Sequence, residues 1–292
     1  MTTLTVLGVV LGGALAACGS SGSSGTGGAA NPGGSPGDRP AAASATASGA
    51  ASSASPAASR PPHMAPGPAG PARVLTRGPK GADKVVALTF DADMTADEGP
   101  RAAGGEHFDN PELIALLRRL KVPATVFMTG RWAEEYPSQA RSIGTDPLFE
   151  IANHSYSHYA FTSPCYGLPT LGKEAIRGEV ERAFGAIRKT GARNVVPYFR
   201  FPGGCYDDAS LRALAAQKVT AVQWDVVSGD AFATDADAVA EQTLDGVQPG
   251  SLVVMHCTRS AAPVTDQAVS QVVPELRKRG YRFVKVSELV RG

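Results

Sequence analysis

A chain of 292 residues with 28 Lys and Arg, 27 Asp and Glu and a formal charge of +1 is long enough for one good-sized core or two small ones. The near-zero balance and the lack of a basic patch give no reason to expect a nucleic-acid partner. Four cysteines are too few for a scaffold built from disulfides.

The first segment, "MTTLTVLGVVLGGALAAC", is apolar and ends in small residues. It is shorter than the about 20 apolar residues that a membrane-spanning helix needs, and residues 1–17 read as a secretory signal without its positive n-region. Leu15-Ala16-Ala17-Cys18 resembles the lipobox of bacterial lipoproteins. That resemblance implies cleavage before Cys18, a lipid on its sulfur and a place on the outer face of the cell membrane. The alternative is a plain secreted protein with an incidental cysteine. Residues 18–73 are Gly, Ser, Ala and Pro with almost no large apolar side chains. They cannot bury enough surface to offset their ordering entropy, which predicts a disordered linker that includes His63.

From residue 74 to 292 the pattern changes to β-rich runs alternating with helical ones. Strands are expected at 84–90, 124–130, 149–153, 197–201, 221–227, 251–256 and 281–286. The clearest helix is "NPELIALLRRL": Asn110 can cap it, Pro111 suits its first turn, and Leu113, Leu116, Leu117 and Leu120 form one stripe. Further helical patterns follow, with Gly191 and Gly280 as stops. Strand-helix alternation predicts an α/β fold with parallel strands and outer helices, either a barrel or a doubly wound open sheet.

Polar residues gather where the expected strands end. Asp91 and Asp93 follow the first, His154 and His158 the third, Arg200 closes the fourth, Asp225 and Asp230 go with the fifth, and His256 ends the sixth. In parallel α/β folds those ends share one face. Two histidines four apart lie on one side of a helical turn and suit two corners of a tetrahedral metal site. A carboxylate from a neighbouring strand would complete a His₂-carboxylate site with an open position, able to generate hydroxide near neutral pH. The alternative is a pair of solvated or hydrogen-bonded histidines.

"TFDAD", "HSYSH", "RFPGG", "WDVVSGD" and "LVVMH" resemble, in order, the five motifs of the polysaccharide deacetylases (NodB homology, carbohydrate esterase family four). The resemblance implies a distorted (β/α) barrel of about seven parallel strands. It also implies one divalent metal ion, zinc first with cobalt, nickel or manganese possible, and removal of N- or O-acetyl groups from a polysaccharide. By the same resemblance Asp91 is the general base, His154 and His158 are metal ligands, Arg200 aligns Asp91, Asp230 pairs with that arginine, and His256 is the general acid. The Gly203 N–H binds the oxyanion and Leu252 lines a pocket for the acetyl methyl.

The chain departs from the family pattern at three places. Ala92 stands where the family has its metal-binding Asp, and Asp93 is the expected substitute. Adjacent side chains on a strand face opposite ways, so this substitution is expected to need a turn. Gly203 replaces an aromatic residue, which removes a wall of the substrate groove, and Ala231 and Phe232 stand where a tryptophan follows the family's Asp. Cys165, Cys205 and Cys257 follow the second, third and fifth motifs, and two of the three are expected to form a disulfide. The expected partners are a polysaccharide of acetylated amino sugars and, through Cys18, a membrane, with no obligate protein partner. Two other functions stay open: a glycan-binding pseudoenzyme of the same fold, and an O-acetyl esterase on xylan-like glycans.

Overall fold

The computed structural model describes residues 72–291. The expected signal segment, Cys18, His63 and nearly all of the expected linker lie outside these residues.

Nine strands form one sheet among the described residues: β1 (Val74–Leu75), β2 (Val85–Ala92), β3 (Ala124–Met128), β4 (Phe149–Asn153), β5 (Val195–Phe199), β6 (Thr220–Val222), β7 (Val226–Val227), β8 (Ser251–His256) and β9 (Arg282–Phe283). Their order is β1-β6-β5-β4-β3-β2-β8-β7, with β9 paired to β2. The ladders between these strands are all parallel. The sheet curls into the distorted barrel expected from the sequence.

Alternation along the strands separates two cores. Val86, Leu88, Phe90 and Ala92 pack outward with Leu113 and Leu117 of the helix Pro111–Leu120. Val85 and Ala87 face inward with Phe127, Ala152, Tyr198 and Leu252. Both faces of β2 are buried throughout, as a parallel sheet covered by helices requires. Asn110 caps the helix Pro111–Leu120 by accepting the Leu113 N–H at 3.0 Å. Gly191 and Gly280 sit at φ +89° and +86°, the left-handed conformation that ends a helix at little steric cost.

Three departures from the expected elements have local causes. The strand expected to reach residue 130 stops at Met128, because Thr129 Oγ1 accepts the Trp132 N–H and starts the helix Gly130–Glu135. The strand expected at 221–227 splits, since β6 pairs with β1 and β5 while β7 pairs with β8. Asp225 spans the break: its carboxylate accepts the Leu252 N–H at 2.7 Å and the Ser251 hydroxyl at 3.0 Å, and it faces Arg77 at 3.6 Å. The last expected strand shortens to β9 because residues 286–289 turn helical. The buried Thr125 hydroxyl and Glu150 carboxylate accept the Val286 and Ser287 N–H groups, which would otherwise be orphaned at that helix start.

Register sets the functional level of the barrel. Asp91 pairs with His256 on one side and Phe127 on the other, Met128 with Asn153, and Asn153 with Phe199. The ends of β2, β3, β4, β5 and β8 therefore meet at one height, with an apolar floor beneath them.

Candidate active site at the strand C-termini

Thr89 and Asp91 continue the inward face of β2, above Val85 and Ala87. Ala92 points into the outer core. One residue further on, Asp93 lies beside the histidines, its Oδ2 3.6 Å from His158 Nε2. No turn is needed to bring it there, contrary to the expectation. Residues 91 and 93 share a face because the strand period is two. Thr258 fixes this carboxylate, donating its hydroxyl to Oδ1 and accepting the Asp93 N–H.

Arg200 leaves the end of β5 with its side chain fully buried. Nη1 donates to Asp91 Oδ1 at 2.6 Å and Nη2 to Thr89 Oγ1 at 2.8 Å, while Nε and Nη2 reach the carbonyls of Val222 and Gln223 at 3.3 Å. Its guanidinium carbon lies 3.9 Å from the Phe127 ring centroid. Burial lowers the Arg200 pKa, opposed by Asp91, and the group stays charged as an arginine does. Asp91 thus has one oxygen tied to a cation and one, Oδ2, turned toward His154 Nε2 at 3.6 Å.

His154 and His158 follow β4, but not on a helical turn. Residues 155 and 158 adopt left-handed φ of +68° and +58°. Asn153 accepts the Ser155 N–H, Ser155 Oγ accepts the His158 N–H, and buried Glu179 accepts from Tyr156 N, Ser157 N and Ser157 Oγ. This network brings the two rings to 4.9 Å between centroids. His154 Nδ1–H donates to the Arg200 carbonyl at 3.0 Å, leaving the Nε2 lone pair for a ligand. Burial pushes its pKa down to about 4, against the pull of Asp91, so the ring is neutral at pH 7. Burial works the other way on Asp93, but it is outweighed by His158, His256 and His154, and the carboxyl sits below its usual range.

These donors fit a divalent cation. The one N···O edge between two of the expected ligands, His158 Nε2 to Asp93 Oδ2 at 3.6 Å, is too long for a hydrogen bond and close to the about 3.4 Å between neighbouring ligands of a tetrahedral ion with bonds near 2.1 Å. A second contact fixing the tautomer of a ligand histidine, as Arg200 does for His154, is usual in metal sites. Among the described residues no group of three His, Cys, Asp or Glu side chains stands close enough together to hold an ion without moving, so the fit rests on that edge, the facing rings and the donor types.

His256 closes β8. Its Nδ1 meets Asp230 Oδ1 at 2.9 Å and its own N–H donates to Asp230 Oδ2 at 2.7 Å. Ser228 and Thr265 hydroxyls also donate to Asp230. Burial lowers the His256 pKa, but Asp230 overrides it and the imidazole rises to about 10. The expected pairing of Asp230 with Arg200 is therefore corrected. Asp230 holds His256, and Arg200 is satisfied by Asp91, Thr89 and two carbonyls.

Leu252 is also corrected. It lies in the inner apolar core at the start of β8, four residues and about 13 Å along the strand from His256. Val254, on the same face and two residues before His256, is the apolar neighbour that counting by twos would have found. Gly203 keeps a free donor: among the described residues its N–H makes no hydrogen bond, while Gly204 N and Cys205 N bond back to Phe201 and Pro202. Cys165 and Cys205 form the disulfide, and Cys257 is free and buried. Cys257 packs into the outer core, opposite His256, and burial raises its thiol to about 12, so it is not a nucleophile. His107 pairs with Asp109 on an outer loop at 3.1 Å. Thr89, Phe127, Glu179 and Thr258 were not singled out from sequence, because such residues are common and only their neighbours give them a role.

A parallel α/β barrel with a His₂-carboxylate cluster, an arginine-held aspartate and an aspartate-held histidine at its strand ends belongs to the class of metal-assisted hydrolases. The sequence model described as polysaccharide deacetylase matches residues 78–222, and the chain belongs to that family. It is 29% identical over 198 residues to a chitooligosaccharide deacetylase of Sinorhizobium fredii, covering 64% of this chain and 86% of that one. It is 27% identical over 212 residues to a peptidoglycan-N-acetylglucosamine deacetylase of Bacillus cereus, covering 72% and 89%. A family-four pseudoenzyme from Bacillus anthracis superposes with a TM-score of 0.59 at 25% identity, covering 74% of this chain and 68% of that chain.

Proposed function

We propose that this protein is a metal-dependent deacetylase that removes N-acetyl groups from a cell-envelope polysaccharide of acetylated amino sugars. The observation that carries it is the convergence, at one level of the barrel, of the Asp91–Arg200 pair, the Asp93, His154 and His158 donors and the His256–Asp230 pair. Asp93, His154 and His158 would hold the ion, zinc by their chemistry, with cobalt, nickel and manganese as alternatives. When bound, such an ion polarises a carbonyl and lowers the pKa of water. The expected lipid on Cys18 would keep the domain against the envelope that supplies its substrate.

Asp91 takes the proton of the attacking water on Oδ2, since Oδ1 is held by Arg200. The buried guanidinium anchors that carboxylate through Oδ1. The Gly203 N–H, free of hydrogen bonds among the described residues, would donate to the developing oxyanion, a kind of contact whose loss commonly costs about 2.7–4 kcal/mol. His256, with Nδ1 held by Asp230, presents Nε2–H to the departing sugar nitrogen, which leaves as an amine only if protonated. Acetate and the free amino sugar are the products.

The test is acetate release from tetra-N-acetylchitotetraose (hereafter chitotetraose). The expected result is turnover that stops with a chelator and returns with added zinc. Asp93→Asn is expected to weaken the metal at least about tenfold, read by competition with a chelating dye; unchanged affinity would remove Asp93 from the ligand set. Glycan binding without acetate release, in zinc-supplemented buffer, would instead make the protein a pseudoenzyme. Faster turnover of acetylated xylan would make it an esterase.

Asp230 sets the alkaline side of the pH profile. With His256 at about 10, the acid stays protonated through neutral pH, and kcat/KM should fall only as pH rises through that value. Asp230→Asn removes the carboxylate that raises it. The alkaline limb should then move down toward the ordinary histidine value of about 6.5. A limb that does not move means His256 is not the titrating acid.

A further inference from the structure

Gly203 stands where a side chain would flank the substrate, and the structure shows why none is there. A Cβ on Gly203 would come within 2.7 Å of Cys165 Sγ, 3.3 Å of Leu168 Cδ1 and 3.4 Å of Tyr166 Cδ2. Its φ is also +61°, a conformation that side-chain-bearing residues adopt rarely. The space is occupied by the loop after the His154–His158 segment. Cys165–Cys205 ties that loop to the residues just past Gly203. Ala160 and Leu171 close its base through backbone bonds, and Thr162 donates to Asp207 at 2.9 Å. At its tip Tyr166 has φ +46° and is 90% exposed. Leu168, two residues on, lines a cavity of about 250 Å³ that also contains Asp93, His158 and Phe232.

An aromatic ring held almost wholly in solvent by a cross-linked loop, beside a free N–H donor, has no packing role of its own. Exposed aromatics on rigid loops mark binding surfaces. The flat face of a pyranose, with its axial C–H groups, suits the negative face of an aromatic ring, and a tyrosine offers that face at small entropic cost. Resting on the deacetylase function above, we propose that Tyr166 is a specificity-determining residue that stacks on a sugar ring of the substrate chain. The disulfide loop thereby rebuilds, from a neighbouring segment, the wall that position 203 does not carry.

The test uses the full-length protein and the variants Tyr166→Ala, Tyr166→Phe and Cys165→Ser/Cys205→Ser, with chitotetraose as probe. Binding is measured by calorimetry on chelated protein, so that it is read apart from turnover, and kinetics on zinc-loaded protein. Tyr166→Ala is expected to raise both the Kd and the KM about threefold to tenfold, with kcat and the hydrolysis of 4-nitrophenyl acetate unchanged. Tyr166→Phe should behave as wild type. The double serine variant should match Tyr166→Ala, because the ring loses its mounting. Wild-type affinity in Tyr166→Ala overturns the proposal whatever the activity. Binding that depends on Tyr166 without any acetate release upholds the stacking role and overturns the deacetylase function. A wild-type protein that neither binds nor turns over chitotetraose overturns both.

Discussion

Asp91→Asn is expected to lower kcat on chitotetraose by about 10²–10⁴-fold, the contribution of a positioned general base, while KM stays near its wild-type value. The asparagine can still accept from Arg200 Nη1 through its carbonyl, which stands where Oδ1 stands now at 2.6 Å. What it lacks is a basic oxygen in the place of Oδ2. The neighbours do not supply one: His154 Nδ1–H is committed to the Arg200 carbonyl, and Asp93 is held by Thr258. The substitution also leaves a buried guanidinium without its counter-charge, which costs roughly 3–5 kcal/mol, and urea denaturation of chelated protein should show that loss. Single-turnover acetate release separates the two effects. A variant that keeps a tenth or more of wild-type turnover would move the base elsewhere, with Asp93 the nearest carboxylate to consider.

The levels of the barrel were legible in the sequence where alternation is strong. The run 85–92 is apolar on both faces until Thr89 and Asp91 break the inward one, and a polar residue at the end of a buried strand is a site signal. His154, Arg200 and His256 were legible for the same reason. Less visible were contacts between residues far apart in sequence. Asp230 could face either Arg200 or His256 on spacing alone, and the split of 220–227 into β6 and β7 decided it, because β7 pairs with β8 and carries Asp230 to His256. The left-handed residues of the segment 154–158 were hidden too. Serine has no marked preference for positive φ and histidine only an enrichment too small to call a turn, and it is Glu179, on the helix Ile176–Lys189, that holds the shape. Leu252, assigned by resemblance, shares the inward face with His256 but sits two strand periods below it in the inner core.

Ala92 shows how a missing residue can mislead when the backbone is left out. In a list of motifs its alanine removes a ligand. On the strand it faces the outer core among Leu88, Phe90 and Met94, where a carboxylate would be buried without a partner. Asp93 offers its carboxylate on the inner side, facing His158. The departure at 92 and the presence of an acid at 93 are therefore one structural fact.

Arg200→Leu is expected to have the largest effect on stability and to inactivate the site by a different route from Asp91→Asn. The guanidinium is fully buried and carries bonds to Asp91, Thr89, Val222 and Gln223. Its loss strands a carboxylate that is itself only 4% exposed, for a cost of roughly 3–5 kcal/mol in chelated protein. A stranded buried carboxyl answers by taking up a proton. The base is then occupied at neutral pH, so the acidic limb of kcat/KM should shift upward and residual activity should recover as pH rises, which Asp91→Asn cannot show. The double variant Asp91→Asn/Arg200→Leu has no unpaired charge left. It should be less destabilised than the two single losses added together, with a coupling of about 0.5–3 kcal/mol, yet remain inactive at every pH. Strict additivity of the two losses would mean that the pair is not coupled in solution. Arginine would then be holding the ends of β5 and β6 together rather than aiming the carboxylate at a water.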